Sequence, residues 1–260
     1  MIYGIDTLGY QDVLEIAKNP SLAKLSEKSR EQIIKSQENV QKIVASDRTV
    51  YGINTGFGPL CDTKISESET AQLQHNLIIS HAVGVGKPID KNISKIMMIA
   101  KIHALSKGFS GVSLDVIERL ILMLEKDIIP VVPEQGSVGA SGDLAPLAHL
   151  VLPLLGLGQV WENDKTVETS IVLDKHNIPP LKLGPKEGLG LINGTQFILA
   201  HAIIGLSKFE YLLDLADLTA AMSLEAYRGS ASPFKKELHD IRPFDGSRKV
   251  AERMRNFLKD

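Results

Sequence analysis

Between Gly194 and Arg228 the apolar residues lie on nearly every face of a helix. A helix that is apolar nearly all round belongs in the interior of a large bundle, because any exposed face would leave apolar surface in water. We find no other stretch in this chain that is long enough to surround it. The sequence therefore predicts a mainly α protein that contains the start of a long central helix bundle, and a covering partner outside the chain.

The composition is that of an ordinary globular protein. Of 260 residues, 43% are hydrophobic and 23% are charged, and the net charge is −2. This balance predicts neither a nucleic-acid nor a membrane partner. The single cysteine, Cys61, excludes an internal disulfide framework and favours a reducing, cytoplasmic location, and we see no signal peptide. The seven histidines lack metal-ligand spacing, so no metal site is expected.

Two domains are predicted, residues 1–190 and 191–260, the second truncated. Within the first, short amphipathic helices alternate with loops, and one of them ends at Ser80-His81. The segment 159–168 predicts a small β-hairpin around Asn163-Asp164.

The segment from Gly136 to His149, GSVGASGDLAPLAH, carries the most specific chemistry. Its centre is Ala140-Ser141-Gly142, in which the amide nitrogen of Gly142 can approach the carbonyl of Ala140 without a Cβ in the way. Loss of the Ser141 hydroxyl as water would leave an exocyclic methylene on a five-membered ring. Asp143 is predicted to be the N-cap of the apolar helix that follows, whose N-terminus favours developing negative charge. Alone, the tripeptide is common and is more simply interpreted as a glycine-rich turn before a buried helix.

Three further segments, taken with this one, favour the ring-forming interpretation over a simple turn. They are residues 51–58 (YGINTGFG), 80–86 (SHAVGVG) and 191–196 (LINGTQ). In this order and spacing, over about residues 5–245, the chain resembles the aromatic amino acid ammonia-lyase family, most closely its histidine-specific members. The resemblance implies the N-terminal part of the ammonia-lyase (aspartase/fumarase-like) helical fold. It also implies that Ala140-Ser141-Gly142 form 4-methylideneimidazole-5-one autocatalytically, with no external cofactor.

The resemblance also implies roles for individual residues. Tyr51 matches the family's lid tyrosine, which takes the β-proton of the substrate, and Asn193 matches an asparagine that contacts the ring and the substrate. Ser80 and His81 fall on the pair that selects the substrate, and Ser-His is the histidine-lyase pair. Leu144 would line the same pocket. From the residues alone, the more usual roles are structural: Tyr51 as a packing anchor, His81 as a capping or core histidine, and Asn193 as a turn former or N-cap.

The expected reaction is therefore the non-oxidative conversion of L-histidine to urocanate and ammonia. Family chains are about twice as long, and the half absent here carries a second tyrosine, a carboxylate-binding arginine and a glutamate. The motif at 244–247, FDGS, departs from the usual His-Pro-Gly-Gln. We expect an N-terminal half, as a fragment, a truncated product or a split-enzyme subunit, in a homo- or hetero-oligomer. Alternatives are an aminomutase or another lyase with the same prosthetic group, a non-catalytic assembly subunit, and a plain helical scaffold.

Overall fold

The computed structural model of the chain describes residues 1–46, 48–56, 65 and 67–259. Cys61 lies outside these residues, and so do Phe57 and Gly58 of the segment 51–58. The described chain forms two compact units, Met1–Ile203 and Ile204–Asp260. The domain boundary near residue 190 stays a prediction.

The first unit is mainly helical, and three of its helices are capped by side chains that the sequence offers for that purpose. Ser26, Asp90 and Ser113 each accept a backbone N–H at the N-terminus of the helix that follows, and these helices are Glu27–Val44, Lys91–Leu105 and Leu114–Glu125. The helices of this unit are α1 (Tyr10–Lys18), α2 (Glu27–Val44), α3 (Glu67–His81), α4 (Lys91–Leu105), α5 (Leu114–Glu125), α6 (Leu144–Val151), α7 (Thr169–Lys175), α8 (Glu187–Ile192) and the start of α9 (Gln196–Ala226).

The strands are short and antiparallel. The predicted hairpin is present: β4 (Gln159–Glu162) pairs with β5 (Lys165–Glu168). Its turn residues Asn163 and Asp164 have φ angles of 49° and 61°, which these residue types tolerate. Two pairings were not predicted. The strand β2 (Ile129–Pro130) adds to β4, and β1 (Val85–Pro88) pairs with β3 (Pro133–Gln135).

The core of the first unit lies along α4, α5 and α6. Met97, Met98 and Ile102 of α4 are fully buried, as are Leu120 of α5 and Leu147 of α6. The apolar sequence of α6 explains its burial, since almost every position of this short helix contacts the core. This packing holds the beginning of α6, and the loop before it, at a fixed place.

The second unit contains most of α9, the short helix α10 (Lys236–Asp240) and α11 (Asp245–Phe257). The predicted long helix is thus present as 31 residues from Gln196 to Ala226. Its large apolar side chains are mostly exposed within this chain: Ile198, Leu199, Leu206, Phe209, Tyr211, Leu212, Leu213, Leu215, Leu218 and Met222. One stretch, 187–226, is long and apolar enough to cross a membrane by length and composition alone, a test that the core helix of a soluble protein also passes.

Candidate active site

The loop between β3 and α6 bends continuously from Gly139 to Asp143. Gly142 has a φ angle of 93°, in the region that favours glycine. A Cβ at Gly142 would lie 2.4 Å from the carbonyl oxygen of Gly194, so no other residue fits against that carbonyl. The side chain of Ser141 is exposed. These features fit a tripeptide whose backbone cyclises, because Gly142 carries no Cβ and Ser141 is exposed.

A cavity of about 260 Å³ lies over this loop. It brings together the end of α3, the loop itself and the first turn of α6. Its lining residues are Ser80, His81, Val83, Gly136, Val138, Ala140, Ser141, Gly142, Leu144 and Ala145. Six of the eight residues that the sequence identified as candidates therefore surround one space.

His81 is held in one orientation at the end of α3. Its Nδ1 lies 2.8 Å from the carbonyl oxygen of Leu77, and Ser80 Oγ donates to the same carbonyl at 3.1 Å. Since a carbonyl oxygen only accepts, Nδ1 is the donor in this contact. Nε2 is the ring nitrogen that this contact leaves for a ligand.

The β1–β3 pairing explains why α3 and the loop meet. Val85 lies opposite Gln135, so the residues that follow α3 run beside the residues that precede Gly136. His149 of α6 reinforces this contact, because its Nε2 accepts the Gly84 N–H at 3.0 Å. Burial lowers the pKa of His149, which keeps the ring neutral and able to accept.

Tyr51 and Asn193 are outside the residues that line the cavity. Tyr51 is 58% exposed, in a turn that packs on α8 where Gly52 meets Leu189. Asn193 ends α8 and is also exposed. The helix α8 contacts the turn that contains Tyr51 and leads directly into the Asn193-Gly194 turn, which lies against Gly142. It therefore links the two turns.

Asp143 has a different role from the predicted one. It stands at the start of α6, but its side chain makes no capping bond to that helix. Instead its Oδ2 accepts the N–H groups of Phe197 and Ile198, at 3.0 and 3.1 Å, and so caps α9. Its Oδ1 accepts from Ser137 Oγ at 2.6 Å, and the residue is fully buried. Capping of a distant helix depends on tertiary contacts, so no local pattern identified it.

Lys101 is a second residue that sequence reasoning missed. It is 1% exposed, on the buried side of α4, and its Nζ donates to the carbonyl oxygen of Asn193 at 2.9 Å. Burial lowers its pKa to about 7. The only signal in the sequence is a lysine within the otherwise apolar run MMIAKIHAL. Among the described residues, no group of three or more His, Cys, Asp or Glu is arranged to hold a metal ion.

A helical fold built around this glycine-flanked Ala-Ser-Gly loop defines a chain of the ammonia-lyase class. The chain belongs to the aromatic amino acid lyase family, whose sequence profile matches residues 8–260. A histidine ammonia-lyase of Streptococcus pyogenes serotype M49 is 42% identical over 254 residues, which are 98% of this chain and 50% of the relative. The chain thus spans about half the length of the curated relatives it matches.

Solved structures agree on the fold. The histidine ammonia-lyase of Trypanosoma cruzi matches with a TM-score of 0.89 and 34% identity, over 98% of this chain and 49% of that one. A tyrosine aminomutase from Streptomyces globisporus matches with a TM-score of 0.91 and 34% identity, over 98% of this chain and 48% of that one. The fold is therefore the N-terminal part of the ammonia-lyase fold, with the start of its long helix bundle.

Proposed function

We propose that this chain acts as the N-terminal half of a histidine ammonia-lyase, which converts L-histidine to urocanate and ammonia in histidine catabolism. The observation that carries the proposal is that Ser80-His81 and Ala140-Ser141-Gly142 line one cavity. The 42% identity to a histidine ammonia-lyase supports the same reaction.

The prosthetic group would form from the chain itself. The Gly142 nitrogen bonds to the carbonyl carbon of Ala140, and the carbonyl oxygen leaves as water with the N–H protons of Gly142 and Ser141. Ser141 then loses its α-proton and its hydroxyl as a second water, which leaves a carbon–carbon double bond. No external cofactor enters this balance. The close contact of Gly142 with Gly194, and the absence of any Cβ there, support a backbone that is already folded for this closure.

Ala140-Ser141-Gly142 would hold 4-methylideneimidazole-5-one in the lining of the cavity, where it would supply an electron-poor alkene as the electrophile for the substrate amine. His81 accepts the imidazole N–H of histidine through Nε2, since Leu77 holds its Nδ1 proton. Tyr51 removes the β-proton, and Asn193 holds the substrate from the adjacent turn. Leu144 packs against the substrate at the N-terminus of α6, where the helix dipole favours negative charge.

We further propose that the complete site needs a second polypeptide or a longer chain that supplies the remaining half. The exposed apolar side chains of α9 support this assembly, because a lone soluble protein rarely leaves such a surface in water. A cytoplasmic bundle helix explains α9 better than a membrane span, because Lys208, Glu210, Asp214 and Asp217 interrupt it. No nucleic-acid or membrane partner is proposed.

Two other functions have specific support. The likeness to a tyrosine aminomutase at 34% identity favours an aminomutase with the same prosthetic group, which would yield a β-amino acid. The exposed α9 also fits a non-catalytic assembly subunit.

One experiment separates these three. The chain is produced with the C-terminal half of the Streptococcus pyogenes relative, and products from histidine are measured. Formation of urocanate with a mass loss of about 36 Da, the two waters of ring closure, supports the proposal. The matched Ser141→Ala variant should lose both. A β-amino acid product indicates the aminomutase. Assembly without any product, and without the mass loss, indicates a non-catalytic subunit.

A further inference from the structure

The side chain of Lys101 is an unusual feature of the first unit. An ammonium that is 1% exposed is unfavourable unless its environment compensates for the lost water. Among the described residues no carboxylate pairs with it, and the acceptor that the structure provides is the backbone carbonyl of Asn193. An apolar side chain of the same length would fill this space without that cost. What the amine adds to the structure is therefore its hydrogen bond.

That hydrogen bond fixes one of two consecutive carbonyl groups. The Asn193 carbonyl accepts from Lys101, and the next carbonyl, that of Gly194, accepts the N–H of Asp143 at 2.7 Å. The Gly194 oxygen is also the atom that would lie 2.4 Å from a Cβ of Gly142. The Asn193-Gly194 turn is thus held from the interior by α4 and from the other side by the loop before α6.

The geometry points to Lys101 as a positioning residue that holds the Asn193-Gly194 turn against Gly142. The role rests on the proposed function. With this turn in place, the Gly142 backbone is kept in its positive-φ conformation for ring closure, and Asn193 is kept next to the Gly194 carbonyl that lies against Gly142. Without the bond, the turn is held less firmly against Gly142, since the Gly194 carbonyl keeps the Asp143 N–H but residues 193–195, between α8 and α9, lose their contact with α4.

The test uses the chain assembled with a C-terminal half, as wild type and as Lys101→Met, Lys101→Arg and Lys95→Met. Lys95 is the matched control, because it lies on the same helix and pairs with Asp127 away from the loop. Three quantities are measured for each: the fraction of chains with the ring mass loss, hydrogen exchange at the Asp143 amide, and unfolding in urea.

We expect Lys101→Met to form the ring in a fraction about tenfold smaller, and to exchange the Asp143 amide about tenfold faster, as loss of a hydrogen bond to a charged group predicts. Its urea midpoint should stay equal to that of the wild type or rise, because an apolar side chain replaces a buried ammonium. Lys101→Arg keeps a donor and should restore part of the ring and of the amide protection. Lys95→Met should match the wild type in ring and exchange.

Several outcomes would overturn the role. One is a ring fraction and an Asp143 exchange rate that Lys101→Met leaves unchanged. Another is a ring loss that follows the urea midpoint in parallel, because Lys101 would then be a structural residue only. If Lys101→Met does not fold, Lys101→Arg provides the test. A folded Lys101→Arg variant that forms no ring and does not protect the Asp143 amide from exchange would exclude the role. A wild-type assembly without the mass loss overturns the proposed function itself, whereas a mass loss that persists in Lys101→Met overturns the Lys101 role alone.

Discussion

Replacing Asp143 with alanine should destabilise the first unit far more than removal of an ordinary helix cap. The Asp143 carboxylate is fully buried and accepts three hydrogen bonds, from Ser137 Oγ and from the N–H groups of Phe197 and Ile198. The substitution leaves the Ser137 hydroxyl, and two backbone amides of α9, without this acceptor. It also removes the negative charge from the positive end of α9.

The expected loss can be estimated from these contacts. Each hydrogen bond to a charged group contributes about 1.5–3 kcal/mol, although neighbouring bonds do not add fully and water reaches the partly buried amides. We therefore expect Asp143→Ala to cost about 3–5 kcal/mol, the range for breaking a buried charged network. Asp90 provides the matched control: it caps α4 through Asn92 N at 2.7 Å but is exposed. Asp90→Ala should cost about 1 kcal/mol.

The measurement is urea unfolding of both variants and the wild type at the same low protein concentration. Hydrogen exchange at the Phe197 and Ile198 amides provides a local readout, and only Asp143→Ala should accelerate it. The reasoning is refuted if Asp143→Ala costs no more than Asp90→Ala, or if the α9 amides remain protected without the carboxylate.

Three further predictions concern the substrate, the assembly and pH. Replacing Ser80-His81 with Phe-Leu in an active assembly should shift preference from histidine toward phenylalanine; equal rates on histidine, phenylalanine and tyrosine before the change would contradict the assignment. The chain alone should self-associate or aggregate through α9 and form no urocanate, and light scattering with an absorbance assay tests this; a monomer that deaminates histidine unaided would contradict it. Because burial lowers the pKa of His149 below that of the unfolded chain, its contribution to stability is intact above about pH 6.5 and falls as pH drops through the folded pKa. His149→Gln should flatten this part of the pH–stability profile, and an unchanged profile would exclude a contribution of His149 protonation to stability.

Several elements of the fold follow from local sequence. The hairpin at 159–168 was predicted because Asn163 and Asp164 accept positive φ angles between two short strands, and the structure confirms it. The long helix was predicted from apolar residues on all faces, and α9 confirms it. The order of the four motifs indicated the aromatic amino acid lyase family, which the family profile confirms.

Other features were decided by tertiary structure alone. The residues Ser80-His81 and Gly136 are far apart in the chain, and the unpredicted β1–β3 pairing brings their segments together. Short strands with exposed side chains carry no apolar alternation, so their pairing leaves no trace in the sequence.

Tertiary structure also decided the partners of the two buried charged residues near the loop, Asp143 and Lys101. Asp143 has the sequence of a local helix cap, yet it caps α9, and Lys101 reaches a carbonyl 92 residues away. Propensity and periodicity describe how a residue interacts with its chain neighbours. The partner of a buried charge is set by which backbone groups the packed helices leave unpaired beside it, and that is determined only when α4, α8 and α9 come together.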